Sequence, residues 1–195
     1  MLSPNELRRC LAGCRDWCRA SGTSSGERLC TAALDGTNSE VTTRVAPPGR
    51  ILDDDWTNLL RAEPEQVLAA VLHGTAFSAE RLALALDARL VNSVHGNDLP
   101  TGATVLQAAL VAGLGHRPTI ARGVDLLLLA TCLDGGFAGS WHGATTGDPL
   151  TTVRCAWALA EAYRPGFTRD TTALNTRVEL NTSVIDATWN MGRKQ

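Results

Sequence analysis

The chain has 195 residues, of which 44% are hydrophobic and 19% charged, and its formal net charge is −2. A chain of this length can bury a sizeable core as one domain, and the composition is ordinary for a globular protein. The charge gives no bulk basic field to draw nucleic acid, and no apolar run reaches the roughly 18 residues that a membrane span needs.

The first residues, MLSPNELRRC, contain no signal-peptide core, so the expected location is the cytoplasm or the interior of an assembled particle. Of 18 basic residues, 17 are Arg and only Lys194 is Lys. GC-rich codon usage produces that bias, and so does selection for a planar, bidentate cation at subunit interfaces or on phosphate. Nucleic-acid binding through the arginines is therefore open on composition, but the net charge does not indicate it.

Ser3-Pro4-Asn5-Glu6 reads as a helix start, with Ser3 as cap, Pro4 in the first turn and Glu6 closing a capping box. The helix should run to about Ala20. Ser24 and Glu27 repeat the capping spacing before a short helix that Gly36 ends. Residues 36–52 lack helical periodicity, and Pro47-Pro48-Gly49 breaks regular structure, so this stretch is expected to be a long loop or arm. Asp53-Asp54-Asp55 could bind a divalent cation, but three acids before Trp56 are better explained as the cap of the next helix.

Pro64 opens a helix that turns Val67, Leu68, Val71 and Leu72 inward, and His73-Gly74 closes it. Ser78 caps the next, with a stripe of Leu82, Leu86, Leu90 and Val94 broadened by Leu84 and Val91. Thr101 or Thr104 is expected to start the following helix, whose inward face is Val105, Leu106, Ala109 and Leu110. After Pro165 the spacing of Leu174, Val178, Ile185 and Trp189 favours a peripheral helix over residues 166–195, with Trp189 docking it.

The six cysteines are Cys10, Cys14, Cys18, Cys30, Cys132 and Cys155. Cys10, Cys14 and Cys18 share one helix face. Thiols eight residues apart on a helix lie about 12 Å apart, too far to ligate one metal, so they are expected to form a buried, metal-free stripe of free thiols.

Residues 118–165 hold the chain's most unusual chemistry. Pro118 opens an apolar helix with Ile120, Val124, Leu127, Leu128 and Thr131 at helical spacing, expected to be central and to end on positive φ at Gly135 and Gly136. Asp148-Pro149 starts a second helix, with Leu150, Val153, Trp157 and Ala160 as its expected buried stripe. Between them, Phe137, Trp141 and His142 stand among five glycines. As a structural connector, the favoured reading, the loop would use Phe137 and Trp141 as core plugs with His142 a polar edge. An exposed indole and imidazole would instead suit a ligand mouth, with Trp141, His142 and Asp148 as the candidate binding residues. No residue can be assigned a catalytic role. Walker loop, G-x-S-x-G and H-E-x-x-H patterns are absent from the sequence.

Asp134, Gly135, Gly136, Phe137, Gly139, Asp148, Thr152 and Ala156 resemble one repeat of the α/α-toroids of terpenoid cyclases and protein prenyltransferases. In such repeats a helix ends in a DGGF/W-x-G turn and a second helix follows. The resemblance covers about 30 residues. The D-x-D-D motif of the cyclases and the Asp/Cys/His zinc set of the prenyltransferases have no counterpart here. The His-Gly pairs are similar to those of the zinc-binding lanthionine cyclases, but no Cys adjoins His142.

The sequence therefore predicts an all-α single domain over 1–195, about eight helices in an irregular bundle or stacked αα-hairpins. The expected function is a non-enzymatic, homo-oligomeric structural or interaction subunit without cofactor or metal. The alternative, implied by the resemblance, is a small toroid-like enzyme or binding protein for an apolar, isoprenoid-like ligand.

Overall fold

The computed structural model describes residues 3–37, 56–142 and 144–164. Most of the 36–52 arm, the Asp53-Asp54-Asp55 run and the whole 166–195 segment with Trp189 lie outside the described residues. Among those described, the protein is all-helical: eight α-helices, one 3-10 turn and no strand.

Helix α1 (Pro4–Ala20) starts as its sequence dictates. The Ser3 hydroxyl accepts from the Glu6 N–H, and the Glu6 carboxylate accepts from the Ser3 N–H. Helix α2 (Ser24–Leu34) folds back on it, and Gly36 at φ 68° follows its end. This start differs slightly from expectation. Thr23 is the cap residue, and its side chain makes no capping bond. Gly26 lets the pair close: a Cβ there would lie 2.6 Å from Cys18 Sγ and 3.1 Å from Val153 Cγ2.

Helix α3 (Trp56–Arg61) is short, and the Arg89 guanidinium donates to its Leu59 carbonyl at 2.8 Å. Helix α4 (Pro64–Leu72) opens on a box in which Glu63 and Gln66 exchange bonds. Helix α5 (Ala79–His95) is capped by Ser78. Its Leu82, Leu86 and Leu90 are buried as expected, but Leu84 and Val91 are 47% and 43% exposed rather than core.

Helix α6 (Leu99–Val111) begins two residues before Thr101. Asp98 caps it by accepting the Thr101 N–H, and Pro100 sits in its first turn. It packs against α4, α5, the 3-10 turn Leu114–His116, helix α7 (Pro118–Leu129) and helix α8 (Pro149–Tyr163). The central helix is therefore α6, not α7. The reason is side-chain size: Gly102, Ala103, Ala108 and Ala109 let neighbours approach from several directions. By contrast Leu129, on α7, is 68% exposed.

Helix α7 ends at Leu129, earlier than the Thr131 expected from spacing. The Thr131 hydroxyl donates to the Leu128 carbonyl at 2.9 Å, and the Cys132 N–H donates to Gly136 O at 2.8 Å, which turns the chain away. Gly135 has φ 88°, as a left-handed turn requires; Gly136 does not. Helix α8 packs on α1, α2 and α6. Its buried face is Thr151, Thr152, Cys155, Ala156 and Leu159, while Leu150 is 65% exposed and Val153 and Trp157 are half-buried. Ala160 of the expected stripe is buried, but the face is otherwise rotated, and the Thr152 hydroxyl can enter the core because it bonds the Phe137 backbone.

Candidate functional site

The irregular segment between α7 and α8 is built around Asp134. Its Oδ2 accepts from the Trp17 indole N–H at 2.9 Å and the Gly147 N–H at 3.0 Å. Its Oδ1 accepts from the Gly136 N–H at 3.0 Å. One carboxylate thus ties the end of α1, the turn after α7 and the approach to α8. Burial opposes its ionisation, but these three donors outweigh that and hold the carboxyl below its ordinary range.

The backbone around it is close-packed. A Cβ on Gly147 would lie 2.7 Å from the Phe137 nitrogen, and one on Gly136 would meet the Trp17 ring at 2.7 Å. Phe137 is fully buried. Its N–H donates to Thr152 Oγ1 at 2.9 Å, and its carbonyl accepts from the Asp148 N–H at 2.8 Å. Asp148 itself caps α8, with Oδ1 accepting from the Thr151 N–H at 2.9 Å.

A second anchor is Asn97, the one described non-glycine residue with positive φ, at 54°. Its Oδ1 accepts from the Trp141 N–H at 2.9 Å and the Ser140 hydroxyl at 3.0 Å. The Trp141 indole N–H donates to Asp98 O at 3.2 Å, and the ring lies over Gly102, where a Cβ would come within 2.2 Å of Cζ2. Trp141 is only 8% exposed, so the indole is a plug against α6, as the connector reading expects, and does not stand open at a ligand mouth. His142 is exposed, and its N–H donates to Ser140 Oγ at 3.1 Å.

The three candidate residues thus sit in different surroundings. Trp141 faces the core, Asp148 is committed to a helix start, and His142 faces solvent. Reading the sequence missed Trp17 and Asn97 as partners of this segment. An Asn one residue before a helix-capping Asp was the available signal for the second; for Trp17 there was none.

The cysteines gather where α1, α2 and α8 meet. Cys14, Cys18, Cys30, Cys132 and Cys155 are buried and Cys10 is half-buried, all as free thiols. Cys10 Sγ lies 3.3 Å from Thr131 Oγ1. A hydrogen bond to Cys10, together with burial, drives the Cys14 thiol well up, and burial pushes Cys18 to about 11 and Cys30 to about 12. Such thiols are poor nucleophiles. Among the described residues no group of three His, Cys, Asp or Glu side chains is arranged to hold a metal ion.

No protein-family model, curated protein or solved structure matches the chain.

Proposed function

We propose that this chain is a non-enzymatic helical interaction protein that self-associates as the subunit of a coat, filament or scaffold. One observation carries the reading: large leucines stand in solvent around the Asp134 turn. Leu129 ends α7 at 68% exposure, Leu133 precedes Asp134 at 91%, and Leu150 opens α8 at 65%. The bond from Gly147 to Asp134 ties the turn that carries Leu133 to the approach to α8, three residues before Leu150. Burying a leucine contributes about 1.5–3 kcal/mol. Three of them can offset the lower estimates of the association cost, about 4 kcal/mol. Large apolar side chains left in solvent mark contact surfaces where they form one patch.

Light scattering on the full chain tests it. The expected mass is a defined multiple of 20.7 kDa, and a chain carrying Leu129→Ser, Leu133→Ser and Leu150→Ser should fall to the monomer with its melting transition retained. A wild-type monomer at every concentration overturns the reading.

A second reading, a toroid-like protein for an apolar isoprenoid-like ligand, is supported by the joint use of Asp134, Gly136, Phe137, Asp148 and Thr152 in one turn. A monomer that binds farnesyl diphosphate, and loses it on His142→Ala without loss of stability, would favour that reading instead.

A further inference from the structure

Between α5 and α7 runs a half-open groove of about 220 Å³. Its lining is almost wholly aliphatic, with Leu90, Val91 and Val94 from α5 and Leu126 from α7. The cause lies in α7. Gly123 seats the helix closely, since a Cβ there would lie 2.6 Å from Leu90 Cδ2 and 2.8 Å from Leu106 Cδ2. Where the helices touch at the glycine, the longer side chains on either side splay and leave the furrow. Leu84, seven residues before Val91, extends the apolar face of α5 and is 47% exposed.

Two cationic or potentially cationic groups, Arg122 and His95, also line the groove. Neither has a hydrogen bond or ion pair among the described residues. The neighbouring pair Arg117 and Asp87 is already closed, at 2.9 Å from Nε to Oδ2. An aliphatic floor beside a guanidinium with no acid partner among the described residues has the complement of an amphiphile: an alkyl chain with an anionic head. Size sets the chain. The groove exceeds the cavity of about 150 Å³ that admits benzene, and it falls short of the roughly 300 Å³ at which drug-sized sites begin. A medium-chain acid fits between those limits.

We propose that the α5–α7 groove is a binding site for a medium-chain alkyl carboxylate, its chain against Val91, Val94 and Leu126 and its carboxylate on Arg122. This site is separate from the leucines assigned to self-association, and it stands or falls independently of them.

The test is a titration of the full chain with octanoate, read by methyl and arginine side-chain NMR shifts. Octanoate should saturate the shifts at Val91, Val94 and Leu126, and acetate should not. Hexanoate should bind about fifteenfold more weakly, for two methylenes at about fourfold each. Octanol, or octanoate with Arg122→Gln, should bind up to about fivefold more weakly, as suits a solvent-exposed charge pair. Val94→Trp should fill the furrow and abolish saturation. Arg122→Gln, on the surface, keeps the test valid where Val94→Trp fails to fold. Three results overturn the proposal: no saturation by octanoate in the folded chain, equal binding of octanol and octanoate together with an unaffected Arg122→Gln, or an oligomer that Val91→Glu dissociates, which would give the groove to a second copy.

Discussion

The segment from Ala130 to Asp148 and helix α7 make an instructive pair. The first has no regular structure, yet its carboxylates, its one indole and many of its amides are matched: Asp134 takes three donors, Asn97 from before α6 takes two of the segment's, and Thr152 holds Phe137. The second is a regular helix with all the local order a backbone can have. Even so, it leaves a furrow against α5, and a leucine stands in solvent in each region, Leu133 in the first and Leu129 in the second. Regular hydrogen bonding satisfies a backbone but does not close a surface. Closure here comes from side chains that reach across the chain, and those are concentrated in the irregular segment.

The sharpest way to break that comparison is to truncate a large side chain on each side of it. Phe137→Ala and Trp141→Ala should each cost about 3–5 kcal/mol, the range for buried aromatics. Leu129→Ala should stay within about 0.5 kcal/mol of wild type. Denaturant unfolding of the three variants decides the matter, and equal costs would erase the distinction. Next in size is Thr152→Val, which keeps the shape but leaves the buried Phe137 N–H without its acceptor. A loss of about 1–3 kcal/mol is expected, measured as a fall in the denaturation midpoint.

Acid provides a smaller probe. The Asp134 carboxyl titrates below its unfolded value, so its contribution is present above about pH 4 and is lost as pH falls through the folded value. Asp134→Asn should therefore flatten part of the acid limb of the stability curve. An unchanged limb would show that the turn does not depend on the charge.

Glu161 tests the opposite sign. Burial raises its carboxyl and Arg164 only partly offsets this, so the protonated form is favoured by folding and stability is lost as pH rises. Glu161→Gln should raise the neutral-pH melting temperature slightly, and a fall would show that the Arg164 pair at 3.0 Å dominates. The smallest effect is His142→Ala, expected within about 0.5 kcal/mol in thermal melts because the ring is exposed.

The helix starts were legible because capping is local chemistry. Ser3 with Glu6, Ser78, and Asp148 with Pro149 each announce themselves within four residues. Burial was less legible, because it depends on what arrives from elsewhere. Leu150 has the stronger hydrophobic signal, yet Thr152 is the residue inside, since Phe137 supplies the partner that makes its hydroxyl tolerable in the core. The centrality of α6 was hidden for a similar reason: small side chains give a weak periodic signal but permit close neighbours. At the candidate site, the glycines and aromatics marked the right segment. The burial of Trp141 followed from reading the loop as a connector, but its partners Asn97 and Gly102, some 40 residues away, left no local signal.

The thiols at the junction of α1, α2 and α8 give the molecule a built-in clock for its own opening. Cys10, half-buried and lowered by the S–H of Cys14, is placed to react first with a disulfide reagent, while Cys14 and Cys155 become reactive only when α1 leaves α8. The labelling rate of the early thiol then reports local fluctuation at Thr131, and that of the late ones reports separation of whole helices. Two time constants from one unmodified chain would rank the stability of this seam against that of the protein as a whole.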